Sequence, residues 1–161
     1  MRKVFFSFDW DDVWQANQVR NSWVAAGSYQ KAGFVDAANI EKVKRASDQS
    51  IKEWIDSQLS GTSVTVVLIG QDTYKSKWVK YEIDESKHKK NGLVGIYIHQ
   101  VKNRIGETSP KGEDPFAQPP FNFKPTKNPK YPCCNYYDWV DDSGHENLGK
   151  WIEKAARQAG K

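Results

Sequence analysis

The chain has 161 residues, of which 27% are charged and 38% are hydrophobic, and its formal net charge is +4. These values are typical of a folded protein and exclude an intrinsically disordered chain. The length predicts a single domain over residues 1–161, long enough to bury a core. The tightest basic cluster, Lys87, Lys89 and Lys90, lies at a predicted helix end, where positive charge suits the helix dipole. We therefore expect no nucleic-acid partner.

Membrane, secretion and metal signals are weak in this sequence. The apolar runs are too short to span a membrane, and we see no signal-peptide pattern before Val4, so we expect a cytoplasmic protein without a membrane partner. Adjacent Cys133 and Cys134 cannot form a long-range disulfide with each other, and no spacing of Cys and His typical of zinc sites occurs. The sequence thus predicts no metal site.

The first part of the chain alternates predicted strands and helices. In order, the patterns predict a strand over residues 4–8 (VFFSF), an acidic loop over 9–12, a helix over 13–26, a short strand around 34–36, an exposed and partly helical connection over 37–45, and a helix over 47–59. The helices are indicated by apolar residues spaced three and four apart, and Gly61 ends the last of them.

The second part begins with the same alternation and then changes. The patterns predict a strand over residues 64–69, a helix over 76–90, a strand over 93–98, a long irregular loop over 102–132, a weak strand over 133–137, and a C-terminal helix over 147–159. Strands that alternate with helical crossovers favour an α/β fold, a doubly wound and mainly parallel sheet with helices on both faces. The core would span about residues 4–100, and the proline-rich loop would frame a pocket or a partner surface.

Several polar and aromatic residues come directly after predicted strands. Ser7, Phe8, Asp9 and Trp10 end the first strand, and Asp36 ends the second. The carboxyl ends of parallel strands share one edge, which is where ligands bind in open α/β sheets. On the helix over 76–90, Trp78 and Glu82 are four residues apart and so share a face near that edge. These residues are the candidate site.

Common cofactor and nucleophile motifs are missing from this edge. No GxGxxG follows the first strand and no GxxxxGK[ST] occurs, so a dinucleotide would not bind in the usual Rossmann phosphate cradle. No histidine follows a plausible nucleophile elbow either. We therefore expect no bound cofactor.

Three segments carry a resemblance to a known family. VFFSF with its acidic and aromatic loop, GFVDA, and VTVVLIGQDTYKSKWVKYEI together resemble a TIR domain, and most closely the TIR-like proteins of the bacterial Thoeris anti-phage system, the ThsB group. The resemblance runs from about Val4 to Ile98, and its most specific part is the W-V-x-x-E spacing of Trp78, Val79 and Glu82. It implies a flavodoxin-like TIR fold, cleavage of the N-glycosidic bond of NAD+ as substrate, and Glu82 as the catalytic glutamate.

The resemblance also implies partners and substrate-binding residues. In Thoeris-type TIR proteins the product is an ADP-ribose-derived signal, often cyclic, which activates a separate effector after infection, so we expect a phage-derived trigger and self-association. The substrate-binding candidates are Ser7, Phe8, Asp9, Trp10, Asp36 and Trp78. The arginine-containing first loop of the family is not matched, because Asp9-Trp10-Asp11-Asp12 is acidic, which argues against phosphate binding there.

Alternative interpretations remain open at this point. Glu82 could be a solvent-facing helix residue paired with a lysine, Trp78 a packing residue, and Asp36 a turn cap. The whole protein could be a non-catalytic TIR assembly or adaptor module. A phosphoacceptor receiver domain would use Asp11, Asp12 and Asp72, but the fourth strand ends in Ile98-His99 where a receiver needs a hydroxyl.

Overall fold

One parallel sheet organises the chain. The computed structural model describes residues 2–25, 30–32, 37–119 and 134–161. Its strands are β1 (Lys3–Phe8), β2 (Gln30–Ala32), β3 (Val64–Ile69), β4 (Gly92–Tyr97) and β5 (Asn135–Asp138). They pair in the order β2-β1-β3-β4-β5, and every pair is parallel. This is the flavodoxin-like strand order, and it confirms the predicted doubly wound α/β fold.

Helices connect the strands, and two of them begin at serine caps. They are α1 (Val13–Ala25), α2 (Ala37–Lys44), α3 (Asp48–Leu59), α4 (Lys77–His88) and α5 (Gly144–Gln158). The Ser47 hydroxyl accepts a hydrogen bond from the Ser50 amide at 3.1 Å before α3, and the Ser76 hydroxyl accepts one from the Val79 amide at 3.3 Å before α4. Each cap satisfies an amide that the helix itself leaves unpaired. No helix in the described ranges is both long and apolar enough to cross a membrane.

The sheet is covered on both faces. Alternate residues of β1 point to opposite sides, so Val4, Phe6 and Phe8 pack with α1 and α5, whereas Phe5 and Ser7 face α3 and α4. All six residues of β3 are buried. Burial on both faces explains why β3 reads as a continuous apolar run rather than an alternating pattern.

Two elements lie elsewhere than the sequence predicts. β2 occupies residues 30–32, where the sequence predicts a loop, while the predicted strand over 34–36 lies outside the described residues. α5 begins at Gly144 rather than Asn147, and Gly144 packs closely against Trp139. A Cβ at Gly144 would come within 2.1 Å of the Trp139 ring, so only glycine fits.

The described part of the long loop, residues 102–119, contributes to the core. Phe116 is fully buried and contacts Tyr136 of β5 edge-to-face, with ring centroids 6.0 Å apart. The Tyr136 hydroxyl donates a hydrogen bond to Asp114 at 2.6 Å. Phe116 therefore belongs to the core that covers the sheet beside β4, and Asp114 ties this part of the predicted irregular loop to β5.

Candidate active site

Glu82 lies inside the buried face of α4. The buried residues of this helix are Val79, Glu82, Ile83 and Ser86, which are spaced three and four apart. Such spacing places them on one stripe, and the apolar members of that stripe pack on the sheet. The helix therefore presses a carboxyl group against the sheet, and Glu82 is only 3% exposed. The alternative of a solvent-facing Glu82 is wrong.

A serine of β1 meets this carboxyl group. Ser7 is fully buried, and its hydroxyl donates a hydrogen bond to Glu82 Oε2. Ser7 faces α4 because side chains alternate along β1. Burial raises the pKa of Glu82 from its ordinary value of 4.5 to about 8, and the Ser7 hydrogen bond acts in the opposite direction. The carboxyl group is thus desolvated but retains one donor that stabilises its charged form.

The backbone carbonyl of Glu82 also accepts a hydrogen bond from a buried side chain. The Ser86 hydroxyl donates to the Glu82 carbonyl oxygen at 2.6 Å, and Ser86 Oγ lies 2.7 Å from Thr65 Oγ1 of β3. Hydrogen bonds between buried groups are geometrically specific, so they favour one placement of α4 on the sheet. The side chain of Glu82 is thus bonded to Ser7 of β1, and its backbone carbonyl is linked through Ser86 to Thr65 of β3.

Two aromatic side chains pack on the same side of the sheet as Glu82. Trp78 and Tyr81 are partly buried against the cluster that includes Phe5 and Ile55, and Trp10 contacts both this cluster and the core on the opposite face. The Trp78 and Tyr81 rings meet edge-to-face with centroids 6.1 Å apart. Burial and a hydrogen bond to Asp56 raise the pKa of Tyr81 to about 12. An aromatic wall therefore lies on the Glu82 side of the sheet edge.

The other sequence candidates are distributed differently. Phe8 is buried in the core between the sheet and α1 and α5, on the face opposite Ser7 and Glu82. Asp9 caps the short turn after β1 by accepting a hydrogen bond from the Asp11 amide at 3.2 Å. Asp36 lies outside the described residues. The structure thus brings Ser7 into contact with Glu82, and Trp10 and Trp78 to one cluster, but it places Phe8 on the other face.

An acidic pocket lies at the carboxyl ends of β1 and β3, and it contains Asp11, Asp12 and Asp72, which the receiver interpretation groups together. Its volume is about 420 Å³, and it is lined by Asp9, Asp11, Asp12, Trp14, Gln15, Gln71, Asp72, Asn103, Arg104, Ile105 and Ser109. Burial and the neighbouring carboxylates Asp9, Asp11 and Asp72 raise the pKa of Asp12 to about 7. The sequence signal for this pocket is the occurrence of acidic residues directly after two adjacent strands. The segment from Asn103 to Ser109 lines the pocket on another side.

The receiver interpretation would require metal-binding carboxylates in this pocket. Among the described residues, three ligand atoms lie within 4.8 Å of one another only at Asp84, Glu85 and His88, which are at least partly exposed on α4. Two of the four pocket carboxylates instead pair with lysines: Lys44 lies 2.9 Å from Asp11 Oδ1, and Lys75 lies 3.2 Å from Asp72 Oδ1. This arrangement does not favour a receiver site.

The fold and the family comparison define the class of protein. Residues 5–103 match the family model described as Thoeris protein ThsB, TIR-like domain. The chain belongs to this family, which agrees with the resemblance carried by its sequence motifs. The matched segment contains Ser7, Trp78 and Glu82, and it ends at the start of the long loop, before β5 and α5.

Two individual relatives give further detail. The chain is 37% identical over 154 residues to a Bacillus cereus (strain MSX-D12) protein named "Putative cyclic ADP-D-ribose synthase ThsB1", and the alignment covers 94% of this chain and 74% of that protein. The crystal structure of the TIR domain of the Toll-related receptor TRR-2 from Hydra magnipapillata is similar with a TM-score of 0.54 and 15% identity. That similarity covers 96% of this chain and 97% of the Hydra domain, and it shows the TIR fold.

Proposed function

We propose that this protein cleaves the bond between nicotinamide and ribose in NAD+ and makes an ADP-ribose-derived, cyclic signal in anti-phage defence. The observation that carries this proposal is the buried Glu82 carboxyl group, which Ser7 contacts and which aromatic residues accompany on the same side of the sheet. The name of the Bacillus cereus relative supports the same product class.

The chemistry needs a carboxylate more than it needs an acid. When the C1′–N bond breaks, neutral nicotinamide leaves with the bonding electron pair, and positive charge develops on the ribose as in other glycoside cleavages. An ionised Glu82 beside the ribose would stabilise that charge strongly, since the site is shielded from water. The leaving group already carries the positive charge in NAD+, so it needs no proton to depart.

The fate of the ribose cation decides the product. Attack by water at C1′ gives linear ADP-ribose, while attack by a nucleophilic atom within the same ADP-ribosyl group closes a ring, and either attack releases one proton. Exclusion of water favours the second outcome. We propose that the cyclic product is the signal that a separate effector reads.

The decisive experiment compares two glutamates of one helix. The purified protein is incubated with NAD+, and nicotinamide and nucleotide products are resolved by mass spectrometry for wild type, Glu82→Gln and the matched control Glu85→Gln. We expect Glu82→Gln to lower nicotinamide release at least about 100-fold, the range of a lost acid–base or charge-stabilising group. Glu85→Gln, on the partly exposed side of α4, should retain it.

Regulation is tested in the same assay. Lysate of phage-infected cells is added as the source of a trigger, and the protein is diluted over a wide range to test whether self-association completes the site. Release per molecule that falls on dilution supports assembly. Equal release from Glu82→Gln and wild type would overturn the catalytic proposal, and the absence of release with and without lysate would favour an adaptor.

A further inference from the structure

Ser7 is the partner of the Glu82 carboxyl group within the described residues. Its hydroxyl bonds to Oε2 and it is fully buried, so water does not compete for this contact. A serine hydroxyl both donates and accepts, and it can therefore follow the carboxyl group from its protonated to its ionised form. The donated hydrogen bond stabilises the ionised form.

Burial and one hydrogen bond set the ionisation of Glu82. Burial raises its pKa and the Ser7 hydrogen bond lowers it, and among the residues that the structure describes no charged side chain contributes. The charged side chains of α4 and of the elements packed on it either have partners other than Glu82 or lie on the exposed side of α4. Those of α3 are Asp48 (with Lys77), Lys52 (over the Tyr81 ring), Glu53 (with Gln49) and Asp56 (with Tyr81). Lys75 (with Asp72) and Asp114 (with Tyr136) lie in the short turns over residues 73–75 and before 115–117, and α4 itself carries Lys80, Asp84, Glu85, Lys87 and His88. The strands β1 and β3 face α4 with Phe5, Ser7, Thr65, Val67 and Ile69.

We infer that Ser7 is a positioning residue of the proposed reaction, which fixes the Glu82 carboxyl group against β1 and stabilises its charged form. This inference rests on the proposed function and deepens it. It also changes the role of Ser7, because a hydroxyl that is buried and bonded to Glu82 acts through Glu82 rather than by holding the substrate. Neutral pH lies below the raised pKa of about 8, so the ionised fraction of Glu82 there depends directly on this single donor.

The test follows the ionisation of Glu82 in two independent ways. The carboxyl carbon of Glu82 is titrated by 13C NMR, with its resonance assigned by Glu82→Gln, and the pH profile of kcat/KM for nicotinamide release is recorded in parallel. We expect Ser7→Ala to move both midpoints upward by about one pH unit, which lowers kcat/KM about tenfold at neutral pH and restores it at high pH. Ser7→Thr keeps a hydroxyl and should keep both midpoints near those of wild type.

Thr65→Val is the matched control. It removes a buried hydroxyl from the same face of the neighbouring strand, but Thr65 contacts Ser86 and not the Glu82 carboxyl group. We expect it to lower Tm while leaving the Glu82 midpoint unchanged. An unchanged midpoint in Ser7→Ala, or an equal shift in Thr65→Val, would overturn the inference.

The two proposals fail differently. If wild type releases nicotinamide and Ser7→Ala shows the wild-type midpoint by NMR, the positioning role is overturned and the catalytic proposal stands. If the NMR midpoint moves in Ser7→Ala but wild type releases no nicotinamide under any condition, the catalytic proposal is overturned and the positioning role falls with it. If Ser7→Ala shows normal chemical shifts elsewhere, misfolding does not explain its result.

Discussion

At the scale of single residues, Glu82 shows how this fold accommodates an unfavourable group. A buried carboxyl group costs free energy in its charged form, and one hydroxyl offsets only part of that cost. The fold retains Glu82 in the middle of a helix stripe whose other large members, Val79 and Ile83, are apolar. A residue that weakens packing at this point is understandable if it serves the site, since natural proteins depart from local rules mainly at functional positions.

Glu82 predicts a specific dependence of stability on pH. Its pKa is about 8 in the folded state against an ordinary 4.5, so between these values the folded state binds more protons than the unfolded state. The free energy of unfolding therefore falls as pH rises through this window, by at most about 5 kcal/mol. The substitution Glu82→Gln removes this penalty because glutamine does not ionise.

Thermal unfolding checks this prediction. We expect the difference in Tm, Glu82→Gln minus wild type, to increase by several degrees as the pH rises from about 5 to about 9. Asp12, whose pKa is also raised, is present in both chains and cancels in the difference. A difference in Tm that stays constant across this pH range would contradict the burial of Glu82 in solution.

At the scale of elements, close contact between α5 and β4 fixes the helix on the sheet. A Cβ at Gly92, the first residue of β4, would lie 2.4 Å from the Ala155 carbonyl oxygen of α5, and backbone atoms cannot move aside as side chains do. Gly149, in the middle of α5, has a very different environment. A Cβ there would meet only the Trp23 ring, at an ordinary 3.8 Å.

These two glycines form a matched pair for one substitution. We expect Gly92→Ala to lower the free energy of unfolding by about 1–3 kcal/mol, because it pushes α5 away from β4. Gly149→Ala should raise it by about 0.5–1 kcal/mol, because alanine favours the helix over the unfolded chain. Urea unfolding measures both, and loss of stability in Gly149→Ala would show that α5 packs differently on α1.

At the scale of the whole molecule, the family match is shorter than the folding unit. The match ends at residue 103, but β5 and α5 follow it. Tyr137 of β5 stacks on Trp151 of α5, with ring centroids 4.1 Å apart and the planes within 5°. α5 then covers the sheet face formed by β1, β3 and β4 with Leu148, Trp151, Ile152, Ala155 and Ala156.

This architecture predicts the outcome of truncation. A chain that ends at residue 103 contains the matched segment and the proposed catalytic pair, yet we expect it to lose cooperative thermal unfolding, because a whole sheet face becomes exposed to water. Near-UV circular dichroism and binding of an apolar dye measure the loss. The control lacks only Gly160 and Lys161 beyond α5 and should unfold much like wild type. A cooperative transition in the chain of 103 residues would contradict the prediction.

Secondary structure was largely readable from local patterns. β3 has the predicted bounds, and α1, α3 and α4 differ from their predicted bounds by one or two residues, since apolar periodicity, serine caps and glycine stops are local signals. β2 was not readable, because Gln30–Ala32 has no apolar run and becomes a strand only by pairing with β1. The close packing of Gly144 on Trp139 at the start of α5 has no periodic sequence signal either.

The candidate site likewise has features that the sequence predicts and features that depend on tertiary packing. Helix and strand periods depend on local geometry alone, so the sequence sufficed to place Glu82 and Trp78 on one helix face near the carboxyl edge of a parallel sheet. The burial of Glu82, its contact with Ser7, and the position of Phe8 in the opposite core follow only from tertiary packing, as does the pocket that four aspartates line. Burial and pKa depend on which distant segments pack together, and no local pattern carries that information.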